Sequence, residues 1–335
     1  MTGIVDACTF PYDRDSWQSY FERLIRHADE YFTRFGMLFA AHFDLDFVEY
    51  QRALAAGGPT EVTAQLLDRA TPFDLDAYLT AREREGVVAE IALGTEGSAN
   101  DHVAALARQA PGRLHAWAGL SLIDADTALA ELQRCLAMGM TGVFVAPVLD
   151  GIDITDDRFA EVLGLAAEQR LGMYLHTGQH FVRRQPLEIT TWRHVDVLAS
   201  RHPDLRIVAG HAGWPWVLET LLVAVRHENV YLDISGHRAT RMALSGFGWE
   251  PLRKLGAESL RDRVLFGTCS WLSPEPTSVL AAEILDLVGA DVAADWLGGN
   301  ALRLLGIDEA GTRPAELRAA RTQRSYEQDL AAVQG

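Results

Sequence analysis

The sequence predicts one distorted (β/α)8 TIM barrel, with a helical insertion after the first strand and a helical C-terminal tail. Three observations lead there. Eight short apolar runs have the length and composition of buried parallel strands. Helix-period patterns separate most of them. Several runs end in a polar or thiol side chain, at the tip where such barrels keep their chemistry. A doubly wound sheet would need fewer strands, and no Gly-x-Gly-x-x-Gly turn follows the first run.

In chain order the strands are expected at 3–8, 86–93, 113–120, 141–146, 171–176, 205–211, 229–235 and 263–268. Helical spacing of apolar residues marks 126–138 behind the cap Asp124, then 156–170, 190–201, 214–227 and 276–287. Residues 1–307 read as a single barrel unit and 308–335 as a helical tail, rich in Ala, Arg, Glu and Gln. Residues 11–80 exceed a minimal barrel. Within them 16–35 is an amphipathic helix with aromatics on the helical period, expected to pack over the barrel mouth as a lid or to form a subunit contact.

Bulk composition narrows the partners. The 30 Lys and Arg against 46 Asp and Glu give a formal charge of −16, which argues against nucleic acid and anionic membrane as main partners. No apolar run approaches the ~18 residues of a membrane span, and no basic segment followed by an apolar one opens the chain. Three cysteines do not make a disulfide framework. A cytoplasmic protein acting on a small molecule is expected.

The chemistry-bearing residues cluster at strand tips. His176 and His211 end the fifth and sixth runs, and Cys8 and Cys269 lie at the ends of the first and eighth. Strands one and eight are neighbours where a barrel closes, so the four side chains can face one cavity. Asp6 precedes Cys8 by two residues, which in a regular strand places both on one side and makes Asp6 a carboxylate base. Phe10, Trp214, Trp216 and Trp271 suggest an apolar or aromatic substrate, although ordinary packing is the commoner role for any single Trp. His180 is a further candidate beyond His176. Arg184, with Arg183, could hold a carboxylate. His237 and Arg238 form a second pair at the mouth, and Glu96 is either a proton carrier or a loop anchor. Cys135 reads as packing.

Several ordered stretches carry a family likeness: His211-Ala-Gly-Trp-Pro-Trp216, Glu228-Asn-Val-Tyr-Leu-Asp-Ile-Ser235, Arg263-Val-Leu-Phe-Gly-Thr268, Leu297-Gly-Gly-Asn-Ala-Leu-Arg-Leu-Leu-Gly306 and Asn100-Asp-His-Val-Ala104. They resemble the amidohydrolase-related group (amidohydrolase family 2), which comprises decarboxylases, hydrolases and hydratases of small carboxylic acids, mostly metal-dependent. The resemblance implies a metal held by a His-x-His pair on the first strand, a His on the fifth, often one on the sixth, and an Asp on the eighth. It also implies a homo-oligomer. Here the first-strand positions are Cys8 and Phe10, the fifth and sixth keep His176 and His211, and the eighth is Cys269.

Four readings follow. In the favoured one the site binds no cofactor, and a thiol that loses its proton near neutrality beside an imidazole works with His176 and His211 in lyase, cyclase or hydrolase chemistry next to a carbonyl or carboxylate. In the second, Cys8, His176, His211 and Cys269 hold zinc for a decarboxylase or hydrolase. In the third, Cys8 and Cys269 are a disulfide or redox pair. In the fourth, the thiols only fill space in an inactive ligand-binding pseudoenzyme.

Overall fold

The computed structural model describes residues 3–307, so the helix expected at 308–335 lies outside the described residues. The eight strands are β1 Ile4–Thr9, β2 Val87–Leu93, β3 Leu114–Leu120, β4 Gly142–Val145, β5 Gly172–Leu175, β6 Arg206–Ala209, β7 Val230–Asp233 and β8 Val264–Leu265. Each pairs in parallel with the next in sequence. The seam between β1 and β8 is bridged by two backbone hydrogen bonds: Ala7 N–H donates to the Phe266 carbonyl and Cys269 N–H to the Cys8 carbonyl, both at 2.9 Å. The runs are mostly apolar because both faces of each strand are covered, by the barrel interior and by the helical layer.

The ladders stop short of the expected tips. β5 ends before His176 and β6 before His211. His211 and Cys269 both turn into the left-handed region, with φ of 56° and 52°, so their side chains leave the strand direction at the mouth. Around the barrel, Asp124 caps the helix Ala125–Ala137 by accepting from Thr127 N–H. The helix expected at 214–227 begins only at Val217, because 210–216 form an irregular turn.

The insertion is five helices: α1 Arg14–His27, α2 Glu30–Arg34, α3 Gly36–His42, α4 Phe47–Arg69 and α5 Leu75–Arg84. The single helix expected over 16–35 is therefore two, broken at Ala28 (φ −148°, ψ 42°). Tertiary anchors explain the break. Arg23 fixes α1 to the barrel, pairing with Asp150 at 2.6 Å and donating to the Thr95 and Leu120 carbonyls at 2.8 and 3.1 Å. The chain then has to change direction to set Tyr31 and Phe35 edge-on to Phe181, at 6.3 and 5.5 Å between ring centroids. α4 breaks once, at Gly58 (φ 68°), where glycine supplies the turn that Pro59 then continues. Phe39 of α3 stacks on Trp271 at 4.9 Å. Insertion and barrel thus share one hydrophobic core, in which Phe21, Phe32 and Phe39 join Cys8, Ala92 and Trp117.

Candidate active site

The site is built from the last residues of β5 to β8 and the turns beyond them. His176 follows β5 and donates its N–H to the Val145 carbonyl at 2.8 Å. Its ring stands 4.9 Å from that of His211, inclined by 72°. Nδ1 of His211 lies 2.9 Å from the Ser235 carbonyl oxygen. A carbonyl only accepts, so Nδ1 carries a proton, and the lone pair of an uncharged ring lies on Nε2. The Ser235 hydroxyl oxygen lies 3.2 Å from the same Nδ1 and donates to Asp233. Asp233 Oδ2 also accepts from the Tyr174 hydroxyl at 2.6 Å and from the His211 backbone N–H at 3.4 Å. Gly267 permits this closeness, since a Cβ there would meet Asp233 Oδ1 at 2.5 Å and the Cys8 Cβ at 3.0 Å.

Burial is the first cause that lowers two of the imidazoles. His176 is held well below its ordinary 6.5, chiefly by burial and then by His211 and His180. Burial, His211 and Arg241 push His237 down to about 3. The Cys8 thiol moves the other way. Burial raises it most, followed by Cys269 and then Asp233. The expected thiolate near neutrality is therefore corrected for Cys8: an apolar, acceptor-rich pocket favours the protonated thiol.

Cys8, Cys269, His176 and His211 all line one cavity of about 330 Å³. Phe10, Trp214, His237 and Trp271 line it too, with Phe144, Trp249 and the insertion's Tyr20, Tyr31 and Phe35. Phe10 packs edge-on to Tyr12 and Phe144. Trp214 is steadied by an indole hydrogen bond to the Phe247 carbonyl at 3.0 Å.

Other expected residues are placed elsewhere. Asp6 does not share the side of Cys8, because β1 carries one extra residue against β2 between Asp6 and Thr9, which breaks the alternation. Asp6 instead accepts from Arg82 at 2.7 Å, from the Thr268 N–H and hydroxyl at 2.9 and 2.7 Å, and from Cys8 N–H at 3.2 Å. Arg82 also pairs with Glu90 at 2.7 Å, so one guanidinium serves two buried carboxylates. His180 is buried behind the cavity wall, with Nε2 3.2 Å from the Pro186 carbonyl. Arg184 is exposed and pairs with Asp29 at 2.9 Å, and Arg183 donates its backbone N–H to Glu30. Arg238 is paired with Glu275 and Glu283, and Glu96 with Arg26. Trp216 does not line the cavity. Cys135 is buried in the helix Ala125–Ala137.

The sequence reading missed Tyr174, Asp233 and Ser235, and the cavity's two cations, Arg34 and Arg241. A signal existed for the first three: an Asp inside the apolar run Val230–Asp233, and a Tyr two residues before His176. None existed for the arginines, which reach the mouth only through helix placement. Neither is ion-paired among the described residues, and Arg34 lies over the Phe181 ring at 4.4 Å.

A metal held in the family's manner does not fit this donor set. Phe10 offers no lone pair at the second first-strand position. Among the described residues no group of three or more His, Cys, Asp or Glu side chains converges closely enough to hold an ion. Cys8, His176, His211 and Cys269 line the cavity and do not form such a group among the described residues.

A parallel eight-stranded barrel with imidazoles and thiols around its C-terminal mouth defines a TIM-barrel protein with a cavity at the face where such folds hold their sites. The chain belongs to the amidohydrolase family, whose sequence model matches residues 39–307. No curated protein matches it. Among solved structures, an uncharacterized TIM-barrel protein from Bordetella bronchiseptica is 22% identical, with a TM-score of 0.64 over 91% of this chain and 98% of its own. A 2,6-dihydroxybenzoate decarboxylase complexed with 2,6-dihydroxybenzoate is 18% identical, with a TM-score of 0.58 over 91% of this chain and 100% of its own. A dihydroxybenzoic acid decarboxylase from Polaromonas sp. JS666, with bound manganese and the inhibitor 2-nitroresorcinol, is 16% identical, with a TM-score of 0.58 over 92% and 98%. At these identities the likeness is one of fold.

Proposed function

We propose that this protein is a small-molecule enzyme that transfers protons beside a carbonyl or carboxylate without a metal ion, in a lyase, cyclase or hydrolase reaction. One observation carries the reading: the Ser235 carbonyl holds the Nδ1 proton of His211, so that an uncharged ring offers its lone pair at Nε2, opposite His176 in a ring-lined cavity. His211 is the proton acceptor. Asp233 holds its backbone N–H and the Ser235 hydroxyl, and so steadies the imidazolium that forms. The protonated Cys8 thiol is a hydrogen-bond donor for charge developing on a substrate oxygen. Phe10, Trp214 and Trp271 take a planar ring, and Arg34 or Arg241 takes a carboxylate at the mouth. The decarboxylase of similar fold, complexed with 2,6-dihydroxybenzoate, supports an aromatic acid as substrate class.

Supporting context is broader. The charge of −16 favours a small molecule over nucleic acid, and among the described residues no helix is long and apolar enough to cross a membrane. Three unpaired cysteines suit the reducing cytoplasm, and the family resemblance suits a homo-oligomer.

The test is turnover of a panel of aromatic and other ring-bearing carboxylic acids by chelator-treated protein, followed by CO₂ release and by absorbance. Turnover that persists without added metal and collapses in His211→Asn supports the proposal. Turnover that vanishes on chelation and returns with manganese or zinc overturns it for the metal-dependent alternative. Tight binding of a ring acid with no turnover assigns a pseudoenzyme instead.

A further inference from the structure

We infer that Cys8 and Cys269 form an oxidisable dithiol, which a small peroxide entering the barrel cavity closes into a disulfide across the β1/β8 seam. This goes beyond the proposed reaction and does not depend on it. Cys269 N–H donates to the Cys8 carbonyl at 2.9 Å, so the two backbones are directly adjacent. Residues joined by one such bond have Cα atoms roughly 5–6 Å apart, inside the roughly 4.4–6.8 Å that a disulfide spans. Both side chains turn into the same cavity, and after burial Cys269 is the largest influence on the Cys8 thiol. Both cysteines are unpaired.

Access decides what can react there. Cys8 is 1% exposed and Cys269 5%, so a peroxide reaches the pair through the cavity while a bulky thiol such as glutathione is kept away. Cys269 is the more accessible of the two and is the thiol attacked first. Its sulfur displaces one peroxide oxygen: the O–O bond breaks, an S–O bond forms and a water or alcohol leaves. Cys8 then attacks that sulfur. The S–S bond forms, the S–O bond breaks, and a water leaves with the Cys8 proton. The rings of His176 and His211, on the same cavity wall, can carry the protons. In sum two thiols are oxidised and one peroxide is reduced. A transient bond of this kind is the sort cytosolic proteins do form. The disulfide would tie β1 to the turn beyond β8, a strand with only two residues in the ladder, and would remove the Cys8 donor from the cavity wall.

The experiment treats the full chain with hydrogen peroxide, blocks remaining thiols with an alkylating agent under denaturing conditions, and maps the peptides by mass spectrometry. The expected result is a Cys8–Cys269 cross-linked peptide, lighter by two hydrogens than its reduced parts, with Cys135 alkylated. Dithiothreitol should reverse it. The oxidised protein should melt at a higher temperature than the reduced one, and Cys135→Ser should give the same cross-link. In Cys8→Ser the reaction should halt at a Cys269 sulfenic acid trapped by a dimedone probe. Full alkylation of both cysteines after treatment, over-oxidation of either without a cross-link, or a bridge through Cys135 would overturn the inference. Each readout is chemical, so it stands apart from the outcome of the turnover assay.

Discussion

His211 occupies the left-handed region at φ 56° and ψ 25°, and Ala212 follows it there at φ 48°. Such conformations cost about 1–3 kcal/mol each for residues other than glycine and cluster at sites that need a side chain aimed off the strand. Asn tolerates this region better than most residues, so His211→Asn removes the imidazole with the least backbone penalty. We expect that variant to keep its circular dichroism spectrum and lose turnover by about 10²–10⁴-fold, the usual worth of a positioned acid–base group. Retained turnover would remove His211 from the chemistry. His237, whose ring lies 4.8 Å from Trp249 and 5.6 Å from Trp214, allows a stability test. Its ordinary value near 6.5 falls to about 3 in the folded chain, and His176 is lowered as well. The unfolded chain therefore binds protons that the folded one refuses between those values. The contribution of His237 is complete above 6.5 and drains as pH falls toward 3, by up to about 1.4 kcal/mol per pH unit. Melting temperature measured from about pH 7.5 down to 5 should drop less steeply in His237→Phe than in the parent, and an equal slope would contradict the neutral buried ring.

At the scale of elements, one guanidinium decides how the insertion sits. Arg23 is 1% exposed and reaches from α1 to Asp150, while Asp150 also accepts the Leu122 N–H at 2.7 Å. Breaking a buried pair from one side strands the remaining charge, at a cost of about 3–5 kcal/mol. Arg23→Met should lower stability by that order in urea unfolding. It should also weaken ring binding, because α1 and α2 carry Tyr20, Tyr31 and Arg34 into the cavity. A variant that loses neither would mean that the aromatic contacts of the insertion hold it unaided. The same scale explains Asp6. A single bulge in β1 sends its carboxylate to Arg82 and Thr268, where it ties β1 to α5 and to the chain beyond β8.

For the whole molecule, the shared core of insertion and barrel implies joint unfolding. Phe21 and Phe39 pack in the cluster that includes β1 and β2, with Trp271 beyond β8 stacked on Phe39. Calorimetry of the full chain should show one transition for both parts, and a separate early melt of the insertion would show that it docks as an independent unit. Eight covered strands wrote themselves as apolar runs, since strands buried on both faces admit little else, and the barrel followed from their number and alternation with helices. The sequence also determined which residues stand at the tips of β1, β5, β6 and β8, hence the meeting of Cys8, His176, His211 and Cys269 at one mouth. Only tertiary structure decided how they act. Whether a thiol is charged depends on desolvation by distant residues, which is why Cys8 rises rather than falls. The partners of an arginine depend on where helices lie, so Arg184 and Arg238 are taken by surface carboxylates while Arg34 and Arg241 face the cavity. The proton on His211 is assigned by a carbonyl of Ser235, and local sequence carries no trace of an acceptor that far along the chain.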